Sequence, residues 1–492
     1  MRFLVTLFFI FLALECPGQS SFYKLYSGKG FDRGEDVIEL EDSSFIISGS
    51  SSSWDENQSA FLLHVDRLGN YLWSNNFGGT EIDGSKRVLY KKNDGFFLLG
   101  HSNSFSSQGE FDLYLVKTDL DGNLQWQKTI NYPGWQRVND AIWGFDSTIL
   151  VVGESLPNIG ESNMFFARFN QNGDTLCTKE FGSVGSDKAV SLIQSEEDSL
   201  YMIGGEFFLS DSGFVKGVVL KINSFGNIIW QDTINEISGE SGVTELVSTP
   251  SFYGVLGYSK NTKMDFDPFF GRFNWDGSFL SGFVEKDSTT SKIPEEAVYV
   301  PEGNRIAMAI PQYVFAHPIR TYDMLFANFG ADGLYWINEA GLIEYEQMES
   351  IGQVINTMDN STVFIGSSEC QWVCETSKNG GSHIYMMKVR NHNQFPPTDQ
   401  YTVINNLIQL AETDQYEEQD FNLYPNPLSD FVNIISPHFA TCNILNIDGK
   451  ILDSFSIDEG VNQKNLTYLN PGIYWIVFET GGTRVVKKII CV

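Results

Sequence analysis

In the stretch DLDGNLQW, Asp119, Asp121 and Asn123 surround Gly122. Three oxygen-bearing side chains around a glycine are the makings of a calcium loop. An EF-hand loop also needs a closing Glu at its twelfth position, and that is missing. Sister stretches DRLGNYLW, NQNGDTLC, NSFGNIIW and NWDGSFLS change the oxygens and keep the glycine. What recurs is a residue able to take positive φ, so the pattern specifies a hairpin turn. Strings such as GSSSS at Gly49 to Ser53 lack the GxSxG of a nucleophile elbow. His64, His101, His317, His383, His392 and His438 show no metal-ligand spacing. Carboxylates are abundant enough to supply a glycosidase pair, but no pair stands out. No catalytic, cofactor-binding or metal-ligating residue is therefore assigned. Among the cysteines, Cys370 and Cys374 of CQWVC are a candidate local disulfide in an exported chain, and His383 alone is thin support for a metal there. Cys442 and Cys491, each on a predicted strand, are a second candidate pair. Cys177 stands where sister repeats have Trp and reads as a small core residue.

The elements that carry these residues repeat. The turn glycines are Gly69, Gly122, Gly173, Gly226, Gly277 and Gly333, at intervals of 51 to 56 residues. Apolar runs ending in a small residue form a second anchor of the same period, at Gly49, Gly100, Gly153, Gly204, Gly257, Ala309 and Gly366. Each unit holds four strand-like runs, a to d; in the second they are Tyr71 to Asn76, Lys86 to Lys91, Gly95 to Gly100 and Asp112 to Asp119. Strand c is almost wholly apolar, as a strand covered on both faces must be. Five residues before the glycine stands His64, Lys117, Arg168, Lys221 or Arg272, with Lys388 in the last copy. Seven four-stranded units of about fifty residues describe an all-β, seven-bladed β-propeller. A linear β-solenoid is the rival reading, and its coils are usually shorter. The recurring small residue places strand c tightly packed near the axis. Phe22 begins the first unit's own strand a and the last unit ends its own strand d near Arg390, so every blade is expected to be complete in its own segment.

Function then belongs on the variable loops. The c–d loops are longer than the d–a turns and differ from unit to unit. They carry Trp54, Phe105, Phe207, Phe208, Tyr313, Phe315, His317, Arg320 and Trp372, aromatics beside acids and amides that suit a sugar or a protein ligand. The plainer alternative is that these rings pack beneath their own loops.

The formal net charge is −30, from 62 acidic and 32 basic residues, which disfavours a nucleic-acid partner. Arg2, the apolar run Phe3 to Leu14 and a small residue at Gly18 read as a cleaved signal peptide over 1–18. Glu15 ahead of Cys16 argues against lipidation. No other run is long and apolar enough for a transmembrane helix in the mature chain. The propeller is expected over 21–393, a linker over 394–420 with Pro396-Pro397 and the acidic run at Glu417 to Asp420, and a small β-sandwich over 421–492. A short helix is expected within Thr402 to Ala411.

Two resemblances bear on function. The pattern FGGxxxD, GxSxS, DxYLVKxDxxGNxxW, clearest over Phe77 to Trp126, resembles a family of secreted bacterial propeller repeats. It implies fold and little about role. The C-terminal segment has Tyr424-Pro425-Asn426-Pro427, the turn at Gly449, the strand Gly472-Ile473-Tyr474 and the closing strand with Lys487 and Lys488. It is similar to the type-A C-terminal sorting domain of the type IX secretion system. That likeness implies passage across an outer membrane, with the secretion machinery as partner of residues 421–492. The expected product is a secreted or surface-held binding or adhesion module for an extracellular carbohydrate or protein; the alternative is a polysaccharide-active propeller hydrolase or lyase.

Overall fold

The structure is a computed structural model. It describes residues 21–491 apart from short stretches, the longest being 261–265, 285–289, 315–321, 341–348, 370–381, 390–401, 405–421 and 425–430. The chain divides into two compact units, Met1–Ala411 and Glu412–Val492. Among the described residues no helix is long and apolar enough to cross a membrane.

The first unit is a propeller-like succession of antiparallel sheets. Sheet 1 contains, from its inner to its outer strand, Asp32–Glu39, Phe45–Ser51, Ser59–Val65 and Tyr71–Phe77. Sheet 2 repeats this with Asp83–Lys91, Gly95–Ser102, Asp112–Thr118 and Leu124–Ile130. Sheets 3, 4 and 5 follow, with inner strands Trp135–Trp143, Lys188–Gln194 and Ser241–Ser248. In sheet 6 the short strands Thr290–Lys292 and Glu296–Val300 both pair with Arg305–Val314. Sheet 7 has inner strand Glu349–Asn356, then Thr362–Glu369 and Ser382–Val389. Each inner strand packs against the next sheet's inner strand, and that of sheet 7 packs against that of sheet 1.

The sheets correct the expected unit boundaries. The glycine hairpin joins the third and outer strands of one sheet: Gly122 links Asp112–Thr118 to Leu124–Ile130, which pair directly. Strand a of each unit thus completes the preceding sheet. The first such strand, Phe22–Tyr26, pairs antiparallel with Ser382–Val389 of sheet 7, Phe22 opposite Lys388. The chain's beginning therefore completes its last sheet, contrary to the expectation that no blade is shared. Phe22 and Tyr26 join Val37, Phe45, Ile384 and Met386 in one buried cluster, and Tyr26 Oη donates to Gly69 O at 2.9 Å. Thr402–Ile404 adds a parallel strand outside Phe22–Tyr26, where part of a helix was expected; the rest of that segment lies outside the described residues.

The sequence anchors acquire physical reasons. At the hairpins Gly69, Gly122, Gly173 and Gly226 have φ of +73 to +78°. Asp119 is more than decoration: its Oδ1 accepts the N–H groups of Asp121 and Asn123, at 3.0 and 2.8 Å, and Asp66, Asn170 and Asn223 do the same in their turns. The basic residue on the third strand reaches the turn between the inner and second strands. Lys117 pairs with Asp94 at 3.0 Å, Lys221 with Asp198 at 2.8 Å and Lys388 with Asp359 at 2.8 Å. Each inner strand of sheets 1 to 5 and 7 carries a β-bulge. The bulge drives a carbonyl at the facing second strand. A Cβ on Gly100 would lie 1.9 Å from Gly84 O, and one on Gly49 or Gly153 equally close to Arg33 O or Arg137 O. In the fourth repeat this role falls to Gly205, opposite Lys188 O, and not to Gly204.

The second unit has a three-stranded sheet, in order Asn422–Tyr424, Phe431–Ser436, Gly460–Asn465, and a four-stranded one, in order Ile451–Ile457, Ala440–Leu445, Gly472–Thr480, Thr483–Cys491. Val432 and Ile434 of the first share a core with Cys442, Ile444, Ile476 and Phe478 of the second.

Candidate functional site

The inner strands present mostly polar residues to the space they enclose. The unpaired bulge residues are Glu35, Lys86, Asn139, Val190, Thr244 and Gly352. Immediately after each comes a second ring of side chains: Asp36, Arg87, Asp140, Ser191, Glu245 and Gln353, with Glu296 from sheet 6.

Several of the second ring clasp neighbouring sheets. Val88 N–H donates to Asp36 Oδ2 and Leu192 N–H to Asp140 Oδ2, each at 2.7 Å; Leu246 N–H donates to Ser191 Oγ at 3.1 Å. Arg87 is the hub. Its Nε donates to Asp140 Oδ1 at 2.8 Å, Nη2 to Glu296 Oε1 at 3.2 Å and Nη1 to Gly352 O at 3.3 Å, so one guanidinium ties sheet 2 to sheets 3, 6 and 7. Burial opposes its charge, but Glu296, Asp140 and Asp36 outweigh that and raise its pKa well above the ordinary value. Burial pushes Asp36 up to about 7 against the pull of Arg87. Burial, reinforced by Glu296 and Asp140, raises Glu245 far above the usual carboxylate range. Among the described residues no three His, Cys, Asp or Glu side chains converge on a metal site.

Beside this ionic cluster lies a cavity of about 500 Å³. Its walls come from the beginnings of inner strands and the ends of second strands, at the end of the sheets where the c–d loops lie. Lys86 Nζ meets Glu35 Oε2 at 2.8 Å, and Arg33 reaches the same carboxylate at 3.8 Å. Burial would raise Glu35, but Lys86 more than offsets it and the carboxyl is held low. Across the cavity Glu206 Oε1 accepts from Tyr258 Oη at 3.0 Å and pairs with Lys188 at 3.4 Å. Tyr258 and Phe266 pack edge to face, 5.0 Å between ring centres. Glu295 accepts only the Ile351 N–H, at 3.3 Å, among the described residues, and burial pushes it up to about 7.

The loops at this end are pinned by the FGGxxxD and GxSxS motifs. Asp83 Oδ2 accepts Gly79 N–H at 2.8 Å and Ser104 O–H at 2.7 Å; Asp187 binds Ser183 and Phe208 N–H in the same way. Of the loop residues singled out from sequence, Phe105 is 44% exposed and stacks on Tyr114, 6.0 Å between ring centres. Phe207 packs half-buried against the core between sheets 3 and 4. Neither lines the cavity. Trp54, Phe315, Arg320, Trp372, Cys370 and Cys374 lie outside the described residues, as does the Tyr313 side chain. The axial residues were missed, although a signal for them exists. A polar residue just before a small or aliphatic one recurs as Asp36-Val37, Arg87-Val88, Asp140-Ala141, Ser191-Leu192, Glu245-Leu246, Glu296-Ala297 and Gln353-Val354.

In the second unit Tyr424 ends a strand opposite Asn433. Pro425 to Pro427 and Gly449 lie outside the described residues. Gly472 opens the strand in which Tyr474 Oη donates to Asn470 O at 2.9 Å. Lys487 and Lys488 stand opposite Ile476 and Trp475. The Cys442–Cys491 pairing does not form: Cys442 is a free, buried thiol opposite Phe478, whereas Cys491 is opposite Gly472. Six strand residues separate those partners, roughly 20 Å, far beyond disulfide reach. Burial pushes the Cys442 thiol up to about 12.

Residues 422–492 match the family described as the secretion system C-terminal sorting domain. The C-terminal unit is a type IX sorting domain. It exports a propeller-like cargo. Among curated proteins none matches this chain. Solved structures that match include Drosophila Semaphorin 2a, at 8% identity over 95% of this chain and 96% of that one, with a TM-score of 0.45. The β-propeller domain of the Trilobed protease from Pyrococcus furiosus matches at 9% identity over 76% and 99%, with a TM-score of 0.39. Puromycin hydrolase matches at 10% identity over 70% of this chain, with a TM-score of 0.41; the chain spans 51% of its length. It spans 50% of a post-proline cleaving enzyme from Rickettsia typhi.

Proposed function

We propose that residues 21–393 form a closed seven-bladed propeller that acts outside the cell, or on its outer surface, as a binding or adhesion module. The closed cycle of inner-strand contacts supports the blade count. Export begins with a cleaved signal peptide over 1–18 and is completed by the sorting domain over 421–492, with Thr402–Ile404 shortening the connecting segment to 405–420. The observation that carries the binding reading is the cavity at the loop face beside the Arg87 cluster, which spans the axis and closes the bowl below. Pockets of about 300–1,000 Å³ with a few convergent polar groups are typical ligand sites. The test is the full-length secreted chain on a glycan and polysaccharide panel, read for both retention and product release. Retention without release is expected.

A second reading, a polysaccharide hydrolase or lyase, draws on Glu35 and Glu295. Both line the cavity, one held low and the other pushed up to about 7. Such a separation is what acid–base hydrolysis uses, and product release abolished by Glu295→Gln would establish it.

A further inference from the structure

Resting on the reading of the cavity as the binding site, we propose that its occupant is the end of a neutral saccharide chain, entering from the loop face and seated on the Tyr258–Phe266 wall. Charge excludes the alternatives first. Among the described residues every cation on the wall already has a carboxylate: Lys86 and Arg33 share Glu35, Lys188 has Glu206, and Arg87 has Asp140 and Glu296. An anionic ligand would have to displace one of these and would meet a chain of net charge −30. A cationic ligand finds Glu35 and Glu206 engaged as well. What is left for a ligand is neutral hydrogen bonding. Glu295 has one backbone donor, and Asn139 spends one amide hydrogen on Ala189 O. The raised pKa of Glu295 leaves its carboxyl able to donate as well as accept near neutral pH, which suits hydroxyl groups.

Shape gives the mode of entry. The edge-to-face aromatic pair supplies an apolar wall against which the C–H face of a sugar ring packs. Below, Arg87 bonds across from sheet 2 to sheets 3, 6 and 7, a crossing that favours entry of terminal rings over a threaded chain.

Calorimetry on the full-length chain tests this with neutral gluco-, galacto-, manno- and xylo-oligosaccharides of two to six units, and an oligogalacturonate as the anionic arm. At least one neutral series is expected to bind, with affinity levelling off after the first few rings and little sensitive to salt. Phe266→Ala should weaken it at least tenfold and Asn139→Ala less, with thermal unfolding showing both variants folded. Three results would overturn the proposal: no neutral series binding, affinity rising steadily with chain length, or Phe266→Ala and Asn139→Ala both without effect. Peptides retained by the wild type and lost with Phe266→Ala would overturn the saccharide assignment while leaving the cavity a binding site. Saccharide product release would instead overturn the binding-module reading.

Discussion

Replacing Arg87 by Met removes a cation and keeps most of the side-chain length. The Arg87 side chain is 5% exposed, and its partners Asp140 and Glu296 are 10% and 9% exposed. Solvent screening is therefore slight, and breaking a buried pair from one side costs about 3–5 kcal/mol because the other charge stays buried. Arg87→Met strands two such carboxylates and also deprives Asp36 of its counter-charge. We expect a loss of about 3–5 kcal/mol at pH 8, a large share of the roughly 5–15 kcal/mol of a folded domain. The loss should shrink at pH 5. Without the guanidinium the folded-state pKa values of Glu296 and Asp36 rise further, and protonation then neutralises those stranded charges. Adding Glu296→Gln should recover part of the loss at pH 8, a coupling of about 0.5–3 kcal/mol. Urea unfolding followed by tryptophan fluorescence suits the test, since nine of the ten tryptophans precede the sorting domain. A loss below about 1 kcal/mol at pH 8, or an equal loss at both pH values, would refute the Arg87 hub as the tie between sheets.

Other outcomes follow from the same structure. Asp36 and Glu295 are raised in the fold to about 7 from ordinary values of 3.8 and 4.5; their contribution is full below those ordinary values and is lost as pH rises towards 7. The wild type should therefore be more stable to urea at pH 5 than at pH 7.5, by about 1.4 kcal/mol per pH unit for each group within that window. Gly100→Ala places a methyl against Gly84 O and should cost about 1–3 kcal/mol, whereas Gly84→Ala, whose nearest neighbour would be 3.5 Å away, should lower the melting temperature little. Cys442 should resist iodoacetamide at pH 8 until the chain is unfolded, and mass spectrometry of non-reduced peptides should show no link to Cys491. Deleting residues 22–26 removes four buried side chains from sheet 7, at about 1.5 kcal/mol or more each. Urea unfolding should show a loss of about 6 kcal/mol or more, well beyond that for deleting 402–404.

The repeat length, the four strands per unit and the turn glycines were legible because each rests on local chemistry repeated six or seven times. The phase of the repeat was not read correctly. Units ordered a-b-c-d and b-c-d-a have the same period, and the partner of Phe22–Tyr26 shows which of them the chain adopts. A clue lay in the turn itself. A tight hairpin such as that at Gly122 makes its flanking strands antiparallel neighbours in one sheet, so the strand beginning at Leu124 could not open the next. The recurring small residue was correctly seen as a demand for close approach, but its cause is the bulge carbonyl of the adjacent inner strand, which no alternation pattern reveals.

The axial residues escaped for a different reason. A charged residue within a strand reads as the solvent face of an amphipathic sheet, and singly Asp36, Arg87 or Glu296 gives no reason to think otherwise. Closing the cycle puts Arg87 against Glu296, 209 residues away, and against the Gly352 carbonyl, 265 residues away. What the position requires is to be polar and to match its neighbours across the axis. Asp, Arg, Ser, Glu and Gln all meet that requirement, so identity varies while place is kept. Side chains that differ from sheet to sheet on a repeated backbone are what a binding surface needs. On this chain they ring the axis in two tiers: the second tier, with Arg87, holds the sheets together, and the first, from Glu35 to Glu295, faces the cavity.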